Sequence, residues 1–266
     1  MPNFDVNNFV IDRVLRGLMT SSADGSVMWS INQITDPSLS VTSETAEAVD
    51  AIGTTIATFN RGKKAEFTAN NSLFDLGLYA AQNGVEKEIA TDSETILAPA
   101  FETITVPAQV TTPVKLAHKP TKAPTEIYLL KGDGTMGEKL VYNATSGSGK
   151  FTYDETEGAI TFPSGATAGA QYFVVYEYAA TRAVAVTGDA VNFPKAGKFI
   201  MEVLGTDVCD QSTLIHAYIV FPNAKLDANV DVSFTTDGNH PFTIQAQQAY
   251  CDKKKTLFQI VVPDEE

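Results

Sequence analysis

Apolar and polar residues alternate with a period of two through most of this chain. The alternation predicts strands at "VMWSINQI" (27–34), "TIATFN" (55–60), "EIYLLK" (126–131), "EKLVYN" (138–143), "KFTY" (150–153), "AITF" (159–162) and "QYFVVYEY" (171–178). It returns at "KFIMEV" (198–203), "LIHAYIVF" (214–221), "NVDVSF" (229–234), "FTIQAQQA" (242–249) and "TLFQIVV" (256–262). These stretches are rich in Val, Ile, Thr, Tyr and Phe, which fit a pleated, half-buried surface, and Gly, Asp, Asn and Pro separate them. The fold class is therefore mainly β.

One stretch breaks the period. "NNSLFDLGLYAAQNG" (70–84) reads as a helix, capped by Asn71 or Ser72, with Leu73, Leu76, Gly77 and Ala80 on one face. Gly84 supplies its left-handed stop. The amino-terminal "MPNFDVNNFVIDRVLRGLM" is expected to begin with a short helix. Between the strand pair at 27–34 and 55–69, residues Asp36 to Gly53 ("DPSLSVTSETAEAVDAIG") show neither period and read as a long loop, mobile in the free subunit.

The stretch "KGDGTMGEKLVYNATSGSGK" (131–150) has the spacing of two phosphate-binding motifs. Gly132, Gly134 and Gly137 match GxGxxG, but a strand rather than a helix follows, so no helix amino terminus faces a pyrophosphate. The phosphate loop fails at Ala144 and Phe151, where Gly and Ser or Thr are required. Asp133-Gly134 is a hairpin turn. Five strands between 126 and 180, approached through Pro107, Pro113, Pro120 and Pro124, suggest a small immunoglobulin-like sandwich over 111–182.

Composition narrows the function. The net charge is −13, from 32 acids and 19 Lys and Arg, and the only basic run is "KKK" at 253–255. A nucleic-acid binder needs clustered cations to release counterions. Cys209 and Cys251 are too few for a disulfide framework and are expected as buried free thiols. His118, His216 and His240 stand in no metal-ligand spacing. No nucleophile elbow occurs, and the acids of "DETE" (154–157) and "DEE" (264–266) read as turn and terminal solvation. No catalytic residue, cofactor or metal is expected. No signal peptide or membrane anchor is visible, so synthesis in a cytoplasm is the default.

The order of strand, extended segment, strand and helix is followed at the far end by "IVFPNAKLDANVDVSF" and "PFTIQAQQAYCDKKKTLFQIVV". This arrangement resembles the tail tube proteins of long-tailed bacteriophages. The resemblance implies a β-barrel flanked by one helix, built from 1–110 and 183–266, with the immunoglobulin-like region as an insertion. It further implies a structural virion protein forming hexameric rings that stack into the conduit for DNA ejection. DNA would pass without specific binding, between tape measure, tail terminator and baseplate proteins. On this reading Leu39, Val41, Val49 and Ile52 become ordered against a subunit of the next ring. Glu44, Glu47 and Asp50 then meet Arg13, Arg16 or Arg61 there. The alternatives are a capsid decoration protein and a β-sandwich carbohydrate-binding protein.

Overall fold

The computed structural model describes residues 6, 8–209, 211–236, 238–250 and 255–264. In chain order the elements are β1 (Phe9–Ser21), β2 (Val27–Ile31), β3 (Ile34–Val49), β4 (Thr55–Asn71) and α1 (Leu76–Gln82). Next come β5 (Glu88–Ile89), β6 (Ile96–Thr105), β7 (Val114–Lys115), β8 (Glu126–Leu130) and β9 (Met136–Tyr142). They continue as β10 (Lys150–Asp154), β11 (Ala159–Thr161), β12 (Gln171–Ala180) and β13 (Val184–Ala185). The last four are β14 (Ala196–Asp207), β15 (Leu214–Leu226), β16 (His240–Ala246) and β17 (Gln259–Val261). The chain is mainly β. It divides into two compact units: residues up to Lys87 together with those from Val186 onward, and Glu88–Ala185.

In the first unit the strands join in the order β2-β1-β14-β15-β16-β4-β3, with β17 beside β15. The sheet curls into a nearly closed barrel, and β3 returns alongside β1 without a hydrogen-bonded ladder between them. Period-two burial gives the sheet a single inner face. Phe199, Met201 and Val203 of β14, Phe67 and Ala69 of β4, and Phe221 of β15 all turn inward. Phe67 lies 5.7 Å from Phe199 and 6.0 Å from Phe242 between ring centroids, and Trp29 lies 5.7 Å from Phe199. Aromatic contacts of this kind add to the free energy of burial itself.

The helix α1 begins later than its sequence suggests. Asn71 ends β4, and Ser72 donates both its backbone N–H and its hydroxyl to the Gln33 carbonyl, so the chain is still tied to the sheet at these positions and the helix has not begun. Asp75 does so instead, its carboxylate accepting from the Leu78 N–H at 2.7 Å. Leu78, Ala80 and Gln82 are the buried residues, whereas Leu76 is exposed and Leu73 precedes the helix. Gly84 ends it at φ +71° as expected. Buried His240 ties the helix to the sheet: Nδ1 accepts from the Asp75 N–H at 3.2 Å, and Nε2 lies 2.7 Å from Gln82 Oε1. Desolvation lowers the His240 pKa, only partly opposed by the Asp75 charge.

The second unit holds seven strands in the order β6-β12-β8-β9-β10-β11-β7, and β5 pairs with β13. β9 and β10 run parallel, while the other pairs are antiparallel. Ile127, Phe151, Ile160, Phe162 and Val174 form its core. Residues 88–110, assigned to the barrel by sequence, lie in this unit because β6 pairs with β12 along its whole length. Gly134, at φ +79°, closes the β8–β9 hairpin: Lys131 and Thr135 are joined by backbone, and Asp133 accepts from the Thr135 N–H.

Other expectations fail. From Phe9 the amino-terminal stretch is β1 rather than helix; residues 1–5 and 7, where the expected helix would begin, lie outside the described residues. β2 pairs with β1, not with β4. "NVDVSF" alternates but forms no strand, and only Gln259–Val261 of "TLFQIVV" does. Cys209 is a free, exposed thiol, not a buried one, and Cys251 lies outside the described residues.

Candidate functional site

The largest correction falls on the expected loop. Residues 36–49 belong to β3, a strand of 16 residues that pairs with β4 from Ile34↔Asn71 to Val49↔Thr55. The period-two signal was absent because most of β3 is exposed on both faces. The hairpin has two parts. Near its base Leu39 lies opposite Phe67 and packs on the barrel core, and β16 adds a third strand against Glu66–Asn71. Beyond Ala65 no third strand joins it among the described residues, and every residue from 40 to 64 is exposed or only half-buried. This second part is a two-stranded arm.

A bulge marks its start. The register shifts between Thr42↔Lys64 and Glu44↔Arg61, with Gly62 at φ +58°. A left-handed residue in a bulge suits glycine, which has no Cβ to clash. Past the bulge directly opposed residues share a face, and neither face is purely apolar. Glu44↔Arg61, Ala46↔Phe59 and Ala48↔Ala57 lie on one face, and Thr45↔Asn60 and Glu47↔Thr58 on the other, to which alternation along β3 also brings Val41 and Val49. At the tip, Asp50 accepts from the N–H groups of Ile52 (3.0 Å) and Thr54 (2.8 Å).

The exposed apolar residues are the arm's main chemical feature. Val41, Val49, Ile56 and Phe59 are exposed, and Ile52 is 88% exposed. A soluble monomer rarely collects such residues without a partner surface to cover them. The charges are also sorted. β3 carries Asp36, Glu44 and Glu47 with no Lys or Arg, whereas the free length of β4 carries Arg61, Lys63 and Lys64 with no acid. Glu44 and Lys64 pair at 3.1 Å, both well exposed, and Glu47 accepts from the Thr55 hydroxyl.

Of the residues named from sequence, the structure gathers Val41, Glu44, Glu47, Val49, Asp50, Ile52 and Arg61 on the arm, with Leu39 at its base. It does not bring Arg13 and Arg16 to them. Both lie on β1, where Arg16 pairs with Glu202 and Arg13 with Asp12. Arg61 lies opposite Glu44 in the register of its own hairpin, where Glu44 pairs with Lys64. Sequence reasoning missed Phe59, Lys63 and Lys64, although "TIATFN" had shown the alternation that places Phe59 and Ala57 on one face. Among the described residues, no group of three or more His, Cys, Asp or Glu is placed to hold a metal ion, and no helix is long and apolar enough to cross a membrane.

No curated protein matches the chain. A family model described as the YomU/Tube protein family matches residues 9–261, nearly the whole length. The barrel, its arm and the second unit all lie within that match. The chain belongs to the YomU/Tube protein family, a description that points to a phage tube-type structural protein.

Proposed function

We propose that this chain is a tail tube subunit whose copies assemble into stacked rings around a conduit for DNA. The carrying observation is the arm. Its exposed apolar residues, on both faces and at the tip, are uncovered in the single chain, and burial of such surface is the main favourable term in protein association. The arm docks on a copy in the neighbouring ring, where Val41, Val49, Ile52 and Phe59 lose contact with water. Leu39 anchors its base to the barrel, so docking is transmitted to a rigid body.

Arg13 and Arg16 already have acids of their own chain and are not the cations that the arm seeks. The second unit is an immunoglobulin-like domain inserted into the tube domain. Tape measure, tail terminator and baseplate proteins meet the tube inside and at its ends. The −13 charge suits a wall along which phosphates must slide without binding. The role is structural rather than enzymatic.

Replacing residues 42–63 with a short Gly-Ser turn tests this. Electron microscopy of the purified parent protein should show rings or tubes. The shortened variant should remain monomeric with an unchanged melting temperature. Normal tubes from that variant, or a parent that stays monomeric at high concentration, would overturn the reading.

A further inference from the structure

We infer that the arms of neighbouring copies join edge to edge, the acidic edge of one against the basic edge of the next, and that this sorting of charge sets the polarity of assembly. The inference deepens the tube reading at the same arm. It concerns the pairwise contact, which exists or not whether or not rings stack.

Both outer edges of the arm are unpaired among the described residues. β3 ends the sheet, and β16 reaches β4 only at Glu66–Asn71, leaving Thr55–Ala65 without a neighbour on that side. A two-stranded ribbon in water is marginally stable, and unpaired strand edges are templates for further pairing. Proteins usually block such edges with proline or inward charges. Here Pro37 lies before the arm begins, and residues 40–65 contain no proline. Bulges interrupt the ladder between Thr42 and Glu44 and between Ala48 and Val49; the regular stretch between them offers two open edges that differ in charge.

That charge discriminates between pairings. Two β3 edges would set Glu44 and Glu47 against themselves; two β4 edges would do the same with Arg61, Lys63 and Lys64. Like charges on adjacent strands destabilise a sheet, and opposite charges support it. β3 of one copy beside β4 of the next is the favoured combination. With all arms pointing the same way those strands run antiparallel, which continues the ladder already present within the hairpin. The contact is heterologous, and heterologous contacts close into rings or run on as filaments rather than stopping at a two-fold dimer.

The balance of charge elsewhere reinforces this. The arm's three acids, Glu44, Glu47 and Asp50, are matched by its three cations, so the whole −13 resides on the rest of the chain. The bodies repel one another, and the arm is the region where copies can approach without that penalty. Added salt screens the repulsion over a Debye length of about 10 Å at 0.1 M.

Two charge-reversed chains test the sorting. One carries Glu44→Lys and Glu47→Lys, giving an arm with basic edges; the other carries Arg61→Glu, Lys63→Glu and Lys64→Glu, giving acidic edges. The substituted side chains are exposed, so both bodies should fold, checked by circular dichroism and melting temperature. Because Glu44 pairs with Lys64 and opposes Arg61 within the hairpin, hydrogen exchange at residues 44–60 checks that each arm keeps its own ladder. Each variant alone should associate at least about tenfold less than the parent in sedimentation at low salt. Their equimolar mixture should recover association, since every β3 then meets a β4 of opposite charge. Either variant associating alone like the parent, or a mixture of folded variants that stays apart, would overturn the proposal.

A second measurement isolates the contact from tube growth. One chain carries Thr45→Cys, another Asn60→Cys, both with Cys209→Ser and Cys251→Ser. Oxidation of the mixture should give a covalent dimer that neither chain gives alone. Dimer without tubes would retain this contact and remove the tube reading. Tubes without dimer would do the reverse.

Discussion

The two halves of the β3–β4 hairpin contrast a strand pair inside a fold with the same pair outside it. At the base, β16 lies beside β4, Phe67 is 1% exposed and Leu39 covers it. On the arm, Phe59 occupies the same strand at 52% exposure, with small alanines around it and no third strand. The residue type is the same; only the cover differs. The base therefore holds the chain together, and the arm keeps its apolar residues exposed, free for the partner proposed above.

The strongest way to break this contrast is a pair of truncations. Phe67→Ala removes a fully buried ring from the centre of an aromatic cluster and should cost about 3–5 kcal/mol of unfolding free energy. Phe59→Ala should change monomer stability by no more than about 0.5 kcal/mol while weakening self-association. Denaturant midpoints of the two variants, measured on monomeric protein, would refute the division if they moved together.

Next in size is a pH response confined to the base. Because burial lowers the His240 pKa below the ordinary histidine value of 6.5, the folded state keeps the ring neutral where the unfolded chain binds a proton. This stability is complete above pH 6.5. It declines as pH falls below 6.5 and stops declining only below the depressed folded value. Chemical denaturation from pH 8 to 5 should show the decline in the parent and a smaller one in His240→Asn. Equal slopes would remove His240 as its source. The arm's exchange behaviour should not follow this titration.

The smallest effect sharpens the boundary. Gly62→Ala places a Cβ at φ +58° and should cost about 1 kcal/mol, felt locally. Hydrogen exchange should quicken for amides of 44–60 and stay unchanged at Phe67 and Phe242. A uniform acceleration would show that arm and base unfold as one.

The same contrast explains what could be read from the sequence. Phe199, Met201 and Val203 alternate because one face of β14 is buried, and that strand was legible at sight. β3 was not. Exposed on both sides, its Ser, Thr and Ala carry no period, and Pro37 near its start reads as a break. "NVDVSF" erred in the opposite direction, since alternation without a neighbouring strand makes no ladder. The helix was visible but its start was not. Asn71 is a good cap by type, yet it was already committed to pairing with His240 at the end of β4. The segment's importance is legible in its length and in Leu39, Val41, Val49 and Ile52, while its shape and the cations Lys63 and Lys64 come only with the register.

The turn at the arm's tip has a thermodynamic consequence. Asp50 holds the backbone of Ile52 and Thr54 in place, so the most exposed isoleucine of the chain sits on a fixed scaffold. Ordering a mobile loop at the moment of contact would subtract from affinity; a preorganised turn avoids most of that subtraction. On the proposed docking, Ile52 would meet its partner with its backbone already in the bound shape.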